Sequence, residues 1–325
     1  MGKHKQLRAT LILFVLLLTI LILGTLGSTY VMKTVGGESV LALATSPTLA
    51  CSVSSTNDSH PSFVCPPDVL ARRDTMQGDH TRLYEEMGGA GVFQSQFWED
   101  WFVYTEFFHS RHYRGVSHTF IELGGYDGRT GSNSYFFDRQ LNWSGVLLEA
   151  STANYVLLEK ARLALPRVAT IHGAVCQEQR LLSLWGGHSL TANNRVEANN
   201  LFHGDEQSVS VCLPMSHYLS MLNLSRRIDY FSMDVEGQEL EIILSHDWVR
   251  HPVFVVSIEV AVQPLLSGTA EYQHRKRCAL YERGMCRWPF YDNYVPPVVY
   301  GKLEAPFWGN NEIWINPTIL LQGET

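Results

Sequence analysis

The chain has 325 residues, 45% of them hydrophobic and 18% charged, with a formal charge of −7. That length supports one large α/β domain with a sizeable core. The acidic balance excludes a nucleic-acid binder that works through a basic field.

The first predicted element is a membrane anchor over 9–32. No charged residue occurs from Ala9 to Met32, and Leu11 to Leu26 is almost wholly apolar, long enough as a helix to cross the ~30 Å hydrocarbon core. Lys3, Lys5 and Arg8 precede it, so the positive-inside rule holds residues 1–8 in the cytoplasm and sends the remainder into the secretory-pathway lumen, as a single-pass type II membrane protein. A cleaved signal peptide, with Gly24, Gly27 and Ser28 near the cut, is the competing reading and leads to the same compartment. Tail, anchor, stem and domain in that order fit the Golgi or another secretory lumen. Oligomeric state is left open by the sequence.

Residues 33–90 are rich in Ser, Thr, Pro and Gly and read as a lumenal stem, leaving 91–325 as the globular domain. The cysteines Cys51, Cys65, Cys176, Cys212, Cys278 and Cys286 form an even set suited to an oxidising compartment. Proximity pairs Cys51 with Cys65 and Cys278 with Cys286. Neither the spacings nor the neighbouring histidines read as a metal site. Glycosylation sequons occur at Asn57-Asp58-Ser59, Asn142-Trp143-Ser144 and Asn223-Leu224-Ser225.

An aromatic helix over 97–104 opens the domain, its rings spaced for the core. Strand and helix then alternate: strands over 119–123, 145–149, 169–175, 228–234 and 253–259, helices over 133–140, 155–164, 238–244 and 272–283. The rhythm predicts a mostly parallel sheet with covering helices on both faces. A polar stretch from 186 to 207 interrupts it as a long loop. Val298-Val299-Tyr300 and Asn311-Glu312-Ile313-Trp314-Ile315 are expected to close the chain as an antiparallel pair.

The most informative motif is Phe120-Ile121-Glu122-Leu123-Gly124-Gly125-Tyr126-Asp127-Gly128, an apolar strand that enters a glycine-rich, acidic turn. About 20 residues on, at the distance where nucleotide-binding folds place a ribose carboxylate, Val146-Leu147-Leu148 ends in Glu149. Dinucleotide turns gather a pyrophosphate on backbone N–H groups, and acidic side chains would repel it. Here Glu122 and Asp127 crowd the turn, and no Lys or Arg in it precedes Arg129. An adenosine with a cationic end suits such a site better, and S-adenosylmethionine has that shape and charge. The plain alternative is an ordinary strand–turn–helix with a solvated acid at the strand end.

A second strand, Ile228-Asp229-Tyr230-Phe231-Ser232-Met233, again ends in carboxylates, Asp234-Val235-Glu236-Gly237. Since ligands of open α/β sheets sit beyond the carboxyl ends of the strands, Glu122, Glu149, Asp234 and Glu259 would share one edge and make an acidic crevice.

Phe120–Gly128, Ser132-Asn133-Ser134, Asn142–Glu149 and Tyr230–Gly237 together resemble the FkbM-type methyltransferases. The resemblance implies a class I, Rossmann-like methyltransferase fold and S-adenosylmethionine as cofactor. It places Glu122, Gly124, Tyr126, Asp127, Gly128, Asn133, Glu149 and Ala150 in the cofactor site, with Glu149 on the ribose, and Asp234 and Glu236 beside the reaction centre. It also implies O-methylation of a hydroxyl, here on a glycan or a small molecule. Asp234 is the expected general base, with Glu236 orienting the acceptor, and His188 in the polar loop is a second candidate base. Each has a bland alternative: Asp234 as a helix cap, His188 as an exposed loop residue. The rival enzyme reading is a type II Golgi glycosyltransferase, in which Asp234-Val235-Glu236 would hold a divalent ion against a sugar nucleotide. A non-catalytic lumenal binding module is the third.

Overall fold

The computed structural model describes residues 30–35, 38–43, 63–73, 80–109, 117–162, 166–185, 190–191, 207–222, 227–235, 237–260, 270–292, 294 and 311–322. The chain divides into two compact units, Met1–Pro61 and Ser62–Thr325. In the first, β1 (Tyr30–Val35) and β2 (Glu38–Leu43) pair as an antiparallel hairpin. The expected anchor lies outside the described residues except for Tyr30 to Met32, which belong to β1. No helix among the described residues is long and apolar enough to cross a membrane.

The second unit opens with α1 (Pro67–Leu70), α2 (His80–Glu86) and α3 (Glu99–Val103), the last running on into a π-helical turn at Tyr104–Phe108. The domain therefore begins near Ser62 and not at 91. Phe63, Cys65, Val69 and Tyr84 are buried. Residues 63–65 extend the sheet edge, with Arg287 N donating to Phe63 O at 2.7 Å and Cys65 N to Arg287 O at 3.0 Å. A few apolar side chains and a disulfide suffice to fix a segment whose composition resembles a linker.

The main sheet is built from β3 (Thr119–Leu123), β4 (Ser144–Glu149), β5 (Val168–His172), β10 (Ile228–Met233), β11 (Val253–Glu259), β12 (Cys286–Arg287) and β13 (Asn311–Ile315). Its order is β12-β13-β11-β10-β3-β4-β5. The pairs from β11 to β5 are all parallel, and β13 alone runs against its neighbours β11 and β12. Such strands are apolar on both faces, as in Val253-Phe254-Val255-Val256, because helices cover each side. Phe137 of α4 (Tyr135–Arg139) packs on Tyr230, while His246, just after α7 (Glu239–Ser245), packs on Phe231. Tyr230 and Phe231 are consecutive in one strand, so the two helices lie on opposite faces. This is the class I, Rossmann-like methyltransferase architecture, a mixed sheet with one antiparallel strand near its end.

Asn311–Ile315 closes the sheet as an antiparallel strand on β11 and β12, while 298–300, its expected partner, lies outside the described residues. The cysteine pairs differ from those expected: Cys65 bonds Cys286 across 221 residues and Cys176 bonds Cys212, with Cys278 also in a disulfide. Pairing follows neighbourhood in the sheet, and Cys65 lies against β12.

Between β5 and β10 the chain makes a second sheet; of the expected loop over 186–207, Leu190, Thr191 and Gln207 belong to it and the remaining residues lie outside those described. The sheet consists of β6 (Ala174–Val175), β7 (Arg180–Trp185), β8 (Leu190–Thr191) and β9 (Gln207–Leu213), in the order β6-β9-β7-β8. Helix α5 (Thr152–Arg162) links β4 to β5, α6 (Met215–Leu222) follows β9, α8 (Ala270–Tyr281) follows β11, and α9 (Pro317–Gln322) ends the described chain.

Candidate cofactor site

The chain runs outward from β3 to β4 and β5, then returns to lay β10 on the other side of β3. Their carboxyl ends part at this switch point and leave a crevice. A cleft partly open to solvent lies there, lined by Gly124, Glu149, Ala150, Leu182, Leu184 and Gln238 among others.

The turn after β3 is held by groups that leave it rigid before any ligand arrives. Gly124 and Gly125 both donate N–H to Leu148 O at 3.0 Å, and Gly128 N donates to Gly125 O at 2.8 Å. Asp127 accepts from Arg129 N, Thr130 N and Thr130 Oγ1 at 2.7–2.8 Å, so its carboxylate closes the turn. Glu122 is buried and points into the following loop, accepting from Ser132 Oγ at 2.9 Å, from Asn133 N at 2.8 Å and from Ser134 Oγ. Asn133 in turn donates from Nδ2 to Ser232 Oγ on β10 at 2.8 Å. Beneath lies Arg162, fully buried and ion-paired with Asp138. Its Nε donates to Gly128 O at 2.9 Å and its Nη2 to Ser132 Oγ at 3.2 Å.

Glu149 reaches the cleft. Its Oε2 accepts from Tyr126 N at 2.8 Å and its Oε1 from Ser151 N at 2.7 Å, which fixes the carboxylate and leaves lone pairs for a diol. Burial pushes its pKa up, against the pull of these N–H donors. Tyr126 adopts a φ of 45° to present its N–H, and its ring is 42% exposed above the turn.

On the other side Asp234 is half-buried, and its N–H donates to Leu123 O at 3.2 Å. The turn that follows is clamped from behind by α8. Tyr272 Oη donates to Gly237 O at 2.7 Å, and Lys276 Nζ donates to Glu259 O at 2.5 Å while lying 3.4 Å from Glu239 Oε2. Glu239 Oε1 accepts the N–H of Gly237 at 2.9 Å.

Of the residues anticipated from sequence, Gly124, Glu149 and Ala150 line the cleft. Glu122, Asp127, Gly128 and Asn133 build the turn, and Tyr126 orients Glu149. Asp234 is half-buried at the end of β10, next to the lining residue Val235, while Glu236 and His188 lie outside the described residues. Glu149 is the one charged residue among the described residues that line the cleft. Glu122 and Asp127 turn into the backbone because unpaired N–H and O–H groups there claim them. Sequence reasoning missed the apolar wall of Leu182 and Leu184, whose spacing of two was its signal, and the buried Arg162.

Residues 122–275 match the methyltransferase FkbM domain. The chain carries an FkbM methyltransferase domain. That domain makes the chain a methyltransferase, and its family implies S-adenosylmethionine as the methyl donor. Among solved structures, an FkbM methyltransferase from Methylobacillus flagellatus KT is similar at 9% identity and TM-score 0.38, covering 77% of this chain and 58% of that one. An O-methyltransferase from Bacillus cereus in complex with SAH is similar at 10% identity and TM-score 0.35, covering 77% and 91%. Aeropyrum pernix fibrillarin with bound S-adenosyl-L-methionine gives 10% and 0.32, covering 61% and 66%. No curated protein sequence matches the chain. The FkbM domain's architecture is read from its own strand order, and these likenesses are distant.

Proposed function

We propose that the chain is an S-adenosylmethionine-dependent O-methyltransferase that acts on a hydroxyl of a glycan in the lumen of the secretory pathway, tethered by residues 9–32. The observation that carries the cofactor part is the composition of the cleft: among the described residues, one fixed carboxylate, Glu149, in an otherwise uncharged and mostly apolar lining. A nucleoside fits that donor set, with ribose hydroxyls on Glu149 and the purine against Val175, Leu182 and Leu184. A diphosphate finds no cation among the described lining residues.

When bound, S-adenosylmethionine supplies an electrophilic methyl group on sulfur. The protein then has to align the acceptor oxygen, exclude water and receive one proton. Asp234, at the end of β10, would receive the proton that the acceptor hydroxyl gives up, with Glu236 orienting the acceptor and His188 as the second candidate base. The lumenal placement is supported by the disulfides at Cys65–Cys286 and Cys176–Cys212, bonds that persist in oxidising compartments.

The test is calorimetric titration of the purified chain with S-adenosylhomocysteine and, separately, with UDP and Mn²⁺. Binding of the first alone supports this reading. Binding of the second alone replaces it with a glycosyltransferase. Incubation with labelled S-adenosylmethionine and a released-glycan mixture then identifies the acceptor.

A further inference from the structure

The inserted sheet β6–β9 puts its two faces to different use. Leu182 and Leu184 of β7 line the cleft, as do Ala174 and Val175 of β6. The preceding residue, Leu181, is 70% exposed on the outer face, where Val211 pairs with it across the ladder and is 45% exposed. The wall is thus a thin sheet, and its own core is small: Cys176, Leu182 and Cys212, with Ala174 packed against them. At the centre of that cluster is the Cys176–Cys212 disulfide, with Cα atoms 5.6 Å apart. Cys212 of β9 pairs with Ala174 of β6 on one side and with Arg180 of β7 on the other, so the bond ties the end of β6 to the central strand against which both lining strands lie.

We infer that the inserted sheet is the wall that selects the purine ring, and that the Cys176–Cys212 disulfide is a positioning element that presets this wall. The inference rests on the S-adenosylmethionine reading of the cleft. With so small an apolar cluster beneath it, cutting the covalent centre loosens β6 against β9 and with it the seat that Ala174, Val175, Leu182 and Leu184 form together. The ring then has to order its own wall on binding, and affinity falls. The Cys65–Cys286 bond, against β12 at the far edge of the main sheet, has no part in this.

The experiment titrates S-adenosylhomocysteine and adenosine into the wild-type chain, Cys176→Ala/Cys212→Ala and Cys65→Ala/Cys286→Ala. The expected result is a Kd about tenfold higher for both ligands in the first variant, the scale of losing part of a leucine contact, and a Kd near wild type in the second. Wild-type affinity in Cys176→Ala/Cys212→Ala overturns the inference, as does a loss confined to S-adenosylhomocysteine with adenosine unaffected. A wild-type chain that binds neither ligand overturns the cofactor reading and this inference with it. Where the first variant does not fold, the wild-type chain gives the reciprocal measurement. It is equilibrated in dithiothreitol buffers of graded ratio, with and without S-adenosylhomocysteine, and the trapped thiols are read by mass spectrometry. Saturating ligand should shift the ratio that reduces Cys176–Cys212 about tenfold and leave Cys65–Cys286 unmoved. No shift at Cys176–Cys212 overturns the inference.

Discussion

Gly124 at the end of β3 and Asp234 at the end of β10 meet backbone to backbone. A Cβ on Gly124 would stand 1.9 Å from the Asp234 carbonyl oxygen, and Gly124 holds a φ of +82°. This contact sets the width of the crevice between the two strands. Gly124→Ala has to part them and adopt a strained backbone, so a loss of about 3 kcal/mol, or roughly 6–12 °C in Tm, is expected. Affinity for S-adenosylhomocysteine should fall with it. Thermal melts and titration check both, and an unchanged Tm would contradict the contact.

Glu149 is fixed by Tyr126 N and Ser151 N, so its oxygens are aimed before the ligand arrives. Glu149→Gln keeps the shape but replaces one acceptor oxygen with a donor and removes the charge. A hydrogen bond to a charged group is worth about 1.5–3 kcal/mol, so S-adenosylhomocysteine should bind roughly 10–100-fold more weakly. Affinity within a factor of about two of wild type would remove Glu149 from the ribose.

Two buried groups give stability opposite dependences on pH. His246 donates Nε2–H to His251 O at 2.8 Å, and burial pulls its pKa from 6.5 down to about 4. The folded state binds fewer protons than the unfolded chain between those values. The stability tied to the neutral ring is therefore whole above pH 6.5 and drains as pH falls toward 4, by up to roughly 3 kcal/mol. Asp100 accepts from Gln94 N at 2.8 Å and Trp101 N at 2.7 Å, yet burial pushes its pKa from 3.8 up to about 7. Here the folded state holds the proton longer, so stability is lost as pH rises from 3.8 to about 7. Urea midpoints across this range should tilt in opposite senses: His246→Gln removes the acid-side loss, Asp100→Asn removes the loss on raising pH. Parallel profiles in the two variants would contradict both assignments.

Lys276 and Glu239 form a buried pair behind the Gly237 turn. Lys276→Met leaves Glu239 buried without its cation and should destabilise by about 3–5 kcal/mol. Adding Glu239→Leu should recover much of that, and denaturant melts of the four-member cycle measure the coupling. Strict additivity would show that the two side chains act independently.

Asn142 is exposed, at φ 58°, in the connection that enters β4 from its amino end. The cleft lies at the opposite edge of the sheet. In secretory-pathway expression we expect a glycan there, seen as a mobility shift that glycosidase removes and Asn142→Gln abolishes, with S-adenosylhomocysteine affinity unchanged. Loss of affinity on removing the glycan would place Asn142 nearer the site than the fold does.

The parallel core was legible because burial on both faces writes itself as continuous apolar runs: the strands expected at 119–123 and 253–259 are Thr119–Leu123 and Val253–Glu259. The site was legible at Gly124 and Glu149, where a strand-to-turn change and a terminal acid mark the crevice. The inserted sheet was not, since Arg180–Trp185 carries leucines on both faces, at Leu181 and Leu182, and so blurs the alternation of a strand. The stretch 63–91 was hidden by its polar composition, in which Phe63, Val69 and Tyr84 supply the packing. Arg162 could not be placed without its fold partners: an arginine near a helix end reads as solvated until Asp138 and Gly128 are found around it.

The position of β13 between β11 and β12, together with the bond from Cys65 to Cys286, imposes an order on assembly. During synthesis β11 leaves the ribosome with one flank open, and it stays open until 311–315 have followed. Cys65, Cys176 and Cys212 all emerge before the thiol that Cys65 needs. Any oxidation that outruns elongation offers Cys65 the wrong partners, and this edge of the domain then needs thiol exchange to reach the Cys65–Cys286 pairing.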